Sequence, residues 1–245
     1  MNQRFIPLVP SSNPTKNSTI LEAEPEPLEI DLKRTAVVVV DMQNALISKG
    51  GMIDLLGVHD VSKRQKIIAP FRRVIDAIRQ HGSRVVYTVD RCSSDLRECG
   101  GPDSPFWYKS VNLSAYRDHP EWRDKLLIRG TWGSEIVNEL MPLDGDIIVE
   151  SQRLSTFFGT NMDMILKMYH IKYLLFGGIT TNIAVEGTMR DAFYLDYFPI
   201  LMTDCAMNSG PPFMQEATAF NLKYHYGWIT NSEAVIKAFK VGERL

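Results

Sequence analysis

Two stretches of the chain carry groups placed to do chemistry, and a third completes the set. "VVVVDMQNA" (37–45) ends a run of β-branched residues on Asp41. A carboxylate at a strand end, held in a partly dry cleft, has a raised pKa and works as a general base or acid. The competing role is a helix cap or turn aspartate. "GGITTNIAVEGTMRDA" (177–192) reads as a strand, a sharp turn and a helix with apolar Val185, Met189, Ala192 and Phe193. Thr180, Thr181 and Asn182 suit helix capping, and backbone N–H groups at such a helix start could also hold an oxyanion. A turn of this kind presents a nucleophile, and the presenting residue is Ala184. Its methyl group has neither a lone pair nor an acidic proton. The third stretch is "QRLSTFFGT" (152–160).

At 245 residues the chain fits one large domain, or one domain with an arm, and can bury a substantial core. With 44% hydrophobic and 23% charged residues it has an ordinary globular composition. Formal net charge is -2 without a long basic block, which argues against nucleic-acid or membrane-surface partners. Cys92, Cys99 and Cys205 form an odd, sparse set that reads as reduced cytosolic thiols. His59, His81, His119, His170 and His225 are scattered, with His81 and His170 at helix ends, and a structural role is expected for all five. No zinc-type spacing occurs, so neither a metal nor any other cofactor is expected. The first residues lack a cationic start followed by an apolar stretch, so no signal peptide is expected, and no apolar run reaches membrane-spanning length. A cytoplasmic location follows as an expectation. The Pro-, Ser- and Glu-rich residues 1–33 read as an extended arm preceding a domain over 34–245.

The elements that must position these groups alternate. Strands are expected at "AVVVV" (36–40), "RVVYTV" (84–89), "DIIVE" (146–150), "KYLLFGGI" (172–179), "FPILMTD" (198–204) and "WIT" (228–230). Helices are expected over 70–82, where Phe71, Val74, Ile75 and Ile78 share one face, and over 133–141, 161–170, 182–196, 211–227 and 231–239. "DMQNALISKGGMIDLLG" (41–57) reads as a loop, and residues 90–122 as a long insertion of functional or disordered type. Six strands separated by helices imply an α/β fold, a three-layer α/β/α sandwich around a six-stranded parallel sheet. Ligands then sit beyond the strand carboxyl ends, which selects Asp41 to Asn44, Asp90 onward, Ser151 to Phe158 and Thr180 to Ala184.

The three stretches resemble the signature segments of the isochorismatase-like cysteine hydrolases, over Leu32 to the C-terminus. "GGMIDLLG", "GGPDSPFWYKS", "KLLIRGTW", "AFYLDYFPILMTD" and "FNLKYHYGWIT" resemble its ureidoacrylate amidohydrolase branch most. The resemblance implies hydrolysis of a C–N bond in a small amide or ureide by an aspartate, lysine and cysteine triad. These positions fall on Asp41, Ser151 and Ala184; Arg153, Ser155 and Phe157 fix the middle register. It also implies a cis peptide between Ile179 and Thr180, oxyanion donors at the N–H groups of Thr180 and Ala184, and a dimer or tetramer of this chain. In the parent chemistry the carboxylate takes the thiol proton, the ammonium steadies the thiolate, and sulfur attacks the carbamoyl carbon. That route is closed to an alanine.

Candidate substrate-binding residues are Asn44, Asp90, Glu98, Ser104, Trp107 and Phe158, with Phe106 and Phe157 as further members of an apolar wall. Where the branch tends to carry an asparagine and a tryptophan, this chain has Asp90 and Cys92. Three accounts of residue 184 stay open. The alanine is a substitution introduced into a cysteine hydrolase; or the chain is a non-catalytic homologue that binds a ureide-like ligand; or it is an isochorismatase-type enzyme that cleaves a vinyl ether by protonation from Asp41.

Overall fold

A computed structural model describes residues 17–242. Its centre is the valine-rich segment Thr35–Val40, in which every side chain is buried. Successive side chains of a strand face opposite ways, and the two cores divide accordingly. Val37 and Val39 pack into one cluster with Phe71, Val74, Ile75 and Ile78. Ala36, Val38 and Val40 pack into the other with Leu166, Met189 and Ala192. A strand wet on neither face can be apolar throughout.

The described residues form eight strands: β1 (Ser18–Leu21), β2 (Leu28–Asp31), β3 (Thr35–Val40), β4 (Arg84–Asp90), β5 (Ile147–Ser151), β6 (Tyr173–Ile179), β7 (Phe198–Met207) and β8 (Trp228–Thr230). The last six make one sheet in the order β5-β4-β3-β6-β7-β8, all parallel. Helices Ile68–Gln80 and Ser232–Gly242 cover one face; Met162–Met168 and Glu186–Tyr194 cover the other. The chain leaves the centre through β4 and β5, then returns to the opposite side of β3 as β6. The carboxyl ends of β3, β4 and β6 therefore flank the crevice where the winding direction changes, the usual ligand position in such sheets.

The β3–β6 seam is unusually close. An added Cβ at Gly178 would lie 2.0 Å from the Val40 carbonyl oxygen, and its φ is +125°. Only glycine fits both conditions. Gly178→Ala is expected to destabilise the fold by about 2 kcal/mol or more; urea unfolding measures it, and an unchanged midpoint would refute the packing argument.

Several sequence expectations are corrected. Residues 18–31, expected within an extended arm, form the antiparallel ribbon β1–β2. Leu21, Leu28, Ile30 and Leu32 are buried in the first core, because "LEIDL" alternates apolar with polar residues. Residues 1–16 of that arm lie outside the described residues. The helix expected over 133–141 is two short 3-10 turns, Trp132–Ser134 and Asn138–Leu140, around an extended piece. There Asn44 N–H donates to Glu135 O and Val137 N–H to Met42 O, so the segment is pinned along the loop after β3. That loop itself contains the helices Asn44–Ile47 and Met52–Leu56. The helix expected over 211–227 stops at Asn221 and continues as a wider turn, Leu222–Tyr226. The long insertion is folded: Cys92, Leu96, Cys99, Leu113 and Leu126 form a third apolar cluster with Ala45, Met52 and Ile53.

Candidate active site

Asp41 is the first residue after β3, and it sits at φ 50°. Its N–H donates to Thr88 O on β4 (3.0 Å), and its carbonyl accepts from Gln43 N–H (2.8 Å). Gln43, fully buried, ties this loop to the end of β4. Its Nε2 donates to Asp90 O (2.9 Å) and Ser134 O (2.8 Å), and its Oε1 accepts from Asp90 N–H (2.9 Å). One residue thus ties the two aspartate backbones together, Asp41 through its own N–H and Asp90 through its side-chain amide. Both aspartates line a single cavity of about 810 Å³.

The electrostatics of the pair follow from its surroundings. Burial, and then the charge of Asp90, push the Asp41 carboxyl well above the usual carboxylate range. Burial pushes Asp90 up to about 7, with the Arg153 guanidinium opposing the shift. Asp90 Oδ1 is buried without a hydrogen-bond partner among the described residues. Arg153 does not neutralise the pair: its Nη1 donates to Glu98 O (3.1 Å) and Gln152 O (2.7 Å). Both carboxyls of the cleft are thus shifted toward the protonated form.

Across the cavity, β6 runs into the tight turn Thr181–Val185, and Val185 N–H reaches back to Thr180 O (3.2 Å). The peptide between Ile179 and Thr180 is cis. Thr180 and Ala184 line the same cavity as Asp41 and Asp90. Ala184 is 7% exposed, and its carbonyl accepts from Thr188 Oγ1 (2.7 Å). Asn182 fixes the next wall by exchanging two hydrogen bonds with the Ser209 backbone, 3.1 and 2.9 Å.

Of the catalytic, oxyanion and substrate-binding candidates singled out by sequence, Asp41, Asp90, Thr180 and Ala184 come together here; the others do not reach the cavity wall. Ser151 is buried at the end of β5, opposite Asp90 in register, but its Oγ donates to Arg153 O (2.9 Å) and accepts from Arg153 N–H (3.2 Å). Asn44 spends its amide on Trp132 O (3.0 Å) and Ser48 Oγ (2.8 Å). Glu98 accepts from the Ser93 backbone and hydroxyl inside its own loop. Ser104 caps the helix Pro105–Lys109. The Trp107 ring lies under the Arg117 guanidinium, 4.9 Å away, and Phe158 is 68% exposed. Of the expected aromatic wall only Phe106 faces the cavity; Phe157 packs on Tyr197.

His59, Arg64, Asn112 and Ser209 also line this wall, and sequence reasoning does not find them. His59, expected to be structural, turns toward the cavity. Arg64 sits in "DVSKRQK", which looks like a solvated helix face, and nothing in that composition marks the one cation turned inward.

Residues 35–234 match the isochorismatase domain family. The chain belongs to the isochorismatase family. It is 45% identical over 209 residues to a ureidoacrylate amidohydrolase of Agrobacterium fabrum, covering 85% of this chain and 91% of the relative. It is 40% identical over 229 residues to one from Serratia proteamaculans, covering 93% and 92%. Among solved structures, a cysteine hydrolase from Pseudomonas syringae pv. phaseolicola superposes with a TM-score of 0.69 at 23% identity, over 87% of this chain and 95% of that one. The N-carbamoylsarcosine amidase of Thermoplasma acidophilum gives 0.60 at 27% identity, over 82% and 97%. Among the described residues no helix is long and apolar enough to cross a membrane, and no group of three or more His, Cys, Asp or Glu is placed to hold a metal ion.

Proposed function

We propose that this chain is an amidohydrolase-type scaffold whose cleft binds a small amide or ureide, and that hydrolysis through an acyl-enzyme does not run at residue 184. The observation that carries this reading is a methyl group, that of Ala184, on the wall of the cavity that Asp41 also lines. Asp41, Ser151 and Ala184 occupy the triad positions of the cysteine hydrolases in this reading. Each departure from the triad acts in one direction. Sulfur is replaced by a methyl group, the ammonium by a hydroxyl turned to backbone, and Asp90 adds a second acid. Burial first, and then the neighbouring Asp90 carboxyl, raise the Asp41 carboxyl, which makes it a weaker acceptor for a thiol proton than a lysine-paired aspartate would be in this reading. The names of the ureidoacrylate amidohydrolase relatives support the choice of ligand class.

One observation favours a second reading. A buried carboxyl shifted above the usual carboxylate range suits acid-catalysed cleavage of a vinyl ether, and no nucleophile at 184 is needed for it. A thermal-shift screen against ureides, amides and enol ethers, with each ligand afterwards quantified by chromatography, separates the two. The proposal expects a ureide or amide that raises the melting temperature and is recovered intact. Release of ammonia from it at an enzymic rate contradicts the proposal; consumption of an enol ether alone selects the second reading. A reducing, cytoplasmic setting belongs to this proposal, supported by three free, buried cysteines. So does a homo-oligomer, supported by apolar side chains such as Tyr194, Phe213 and Phe220, each at least 57% exposed.

A further inference from the structure

We propose that Cys92 and Cys99 form a paired thiol site that hydrogen peroxide closes into a reversible disulfide, and that closure is felt at the cleft wall through Asn112. No ligand in the cleft is needed for it.

The two cysteines end the segment "CSSDLREC" (92–99), which follows β4 and doubles back on itself. Leu96 N–H donates to Ser93 O (3.2 Å) and Cys99 N–H to Leu96 O (3.0 Å). Glu98 accepts from the Ser93 N–H and hydroxyl, and Leu96 at φ 57° and Gly100 at φ 86° bound the last turn. The ends therefore meet. Both side chains enter one apolar cluster, and the Cys92 thiol donates to the Cys99 sulfur. Cys92 and Cys99 are buried, but the chain between and beside them runs along the surface, with Ser94, Asp95, Arg97 and Gly100 exposed.

A single buried thiol serves as a small apolar group, which is the role of Cys205 in the first core. Two thiols in contact are one bond short of a disulfide, and here the two sulfurs are unequal. The hydrogen bond from Cys92 lowers the Cys99 thiol below its usual range; burial, Asp90 and Glu98 oppose this, and Arg153 assists it. The same hydrogen bond, burial and Asp90 push Cys92 up. Cys99 is therefore the sulfur that attacks first. Its S–O bond to the peroxide forms, the O–O bond breaks, and the departing hydroxide with the Cys99 proton becomes water. The Cys92 sulfur then attacks the Cys99 sulfur. The S–S bond forms, the S–O bond breaks, and the second hydroxide leaves with the Cys92 proton as water. Two thiols give up two electrons and two protons, and one peroxide becomes two waters.

The route to the cleft is short. Asn112 Nδ2 donates to Cys92 Sγ (3.8 Å), Asn112 Oδ1 accepts from Leu127 N–H (2.8 Å), and Cys92 N–H donates to Leu127 O (2.9 Å). Asn112 and Leu127 both line the cavity. Turning the Cys92 thiol into a disulfide changes what the Asn112 amide is bonded to.

The test treats the full chain with hydrogen peroxide, unfolds it, alkylates it with iodoacetamide and weighs it. The reduced chain should take up three carbamidomethyl groups and the treated chain one, on Cys205, with dithiothreitol restoring three. Cys92 and Cys99 should be lost together, about tenfold or more faster than Cys205. In Cys92→Ser, dimedone should trap Cys99 as a sulfenic acid, and Cys205→Ser should close as the unaltered chain does. The side-chain amide resonance of Asn112 should move on oxidation and return on reduction. Three alkylated cysteines after treatment, loss no faster than that of Cys205, or a disulfide between two chains overturns the paired site. Closure without movement of the Asn112 resonance overturns the link to the cleft.

Discussion

Ala184→Cys alone is expected to leave ureide hydrolysis at background, whereas Ala184→Cys with Ser151→Lys and Asp90→Asn should raise it by about three orders of magnitude or more. The reason lies in charge, not in the missing atom alone. A thiol introduced at 184 enters a buried wall, where low dielectric disfavours the thiolate. Its proton would have to go to Asp41, whose carboxyl burial and Asp90 raise well above the usual carboxylate range. A sulfur atom without the family's lysine beside it is expected to stay a thiol. The lysine supplies the cation, and the neutral amide of the Asp90→Asn change removes the like charge that adds to burial in raising the Asp41 carboxyl. Ammonia release from 3-ureidopropionate reads the outcome. A single Ala184→Cys variant as fast as the triple one would show that Asp41 is already a competent base.

The same charges set how stability depends on pH. Asp90 titrates near 7 in the folded chain, against about 3.9 when unfolded. Between those values the folded chain holds a proton that the unfolded chain has released. Stability therefore falls as pH rises through that window, by at most about 1.4 kcal/mol per pH unit. Because Asp90 is only partly shielded from solvent, the total is about 2–4 kcal/mol. Asp41, also raised, adds to the fall with the same sign. Asp90→Asn should flatten the curve and stabilise the chain at high pH by about 2 kcal/mol, with little effect below the unfolded value. Urea unfolding at about pH 5 and pH 8 measures this; parallel losses in both proteins would contradict the account of Asp90.

The parallel sheet is legible in the sequence because its signals are local. A run such as "AVVVV" has no dry place to go except between two layers, and glycine or proline punctuates each crossing. All six strands of that sheet lie within a few residues of their expected bounds. The ribbon β1–β2 is harder to see because proline and glutamate content outweighs the period-two alternation of "LEIDL", which is the physical signal. The segment 133–141 misleads for another reason: Ile136 and Val137 suit a helix face, but contacts with Met42 and Asn44 hold the chain around them extended.

The site divides along the same line. Asp41, Thr180 and Ala184 follow strand ends directly, so topology alone brings them near the crevice. Glu98, Ser104 and Trp107 lie in an insertion whose path depends on its own apolar cluster, and no periodicity predicts which side chains turn inward. Gln43 is overshadowed by its neighbour Asn44. Its importance comes from bonds to Asp90 and Ser134, far away in sequence. Arg64 is hidden for the reverse reason: its surroundings, not its type, remove it from water.

The most direct test takes the unaltered chain, a panel of ureides and amides, and a measurement of ammonia alongside intact mass. With a methyl group at 184 and no nucleophile there, no ammonia above the blank and no acyl adduct are expected. Turnover at ordinary enzyme rates, roughly 1–1000 per second, or a covalent adduct on the chain, would contradict the account.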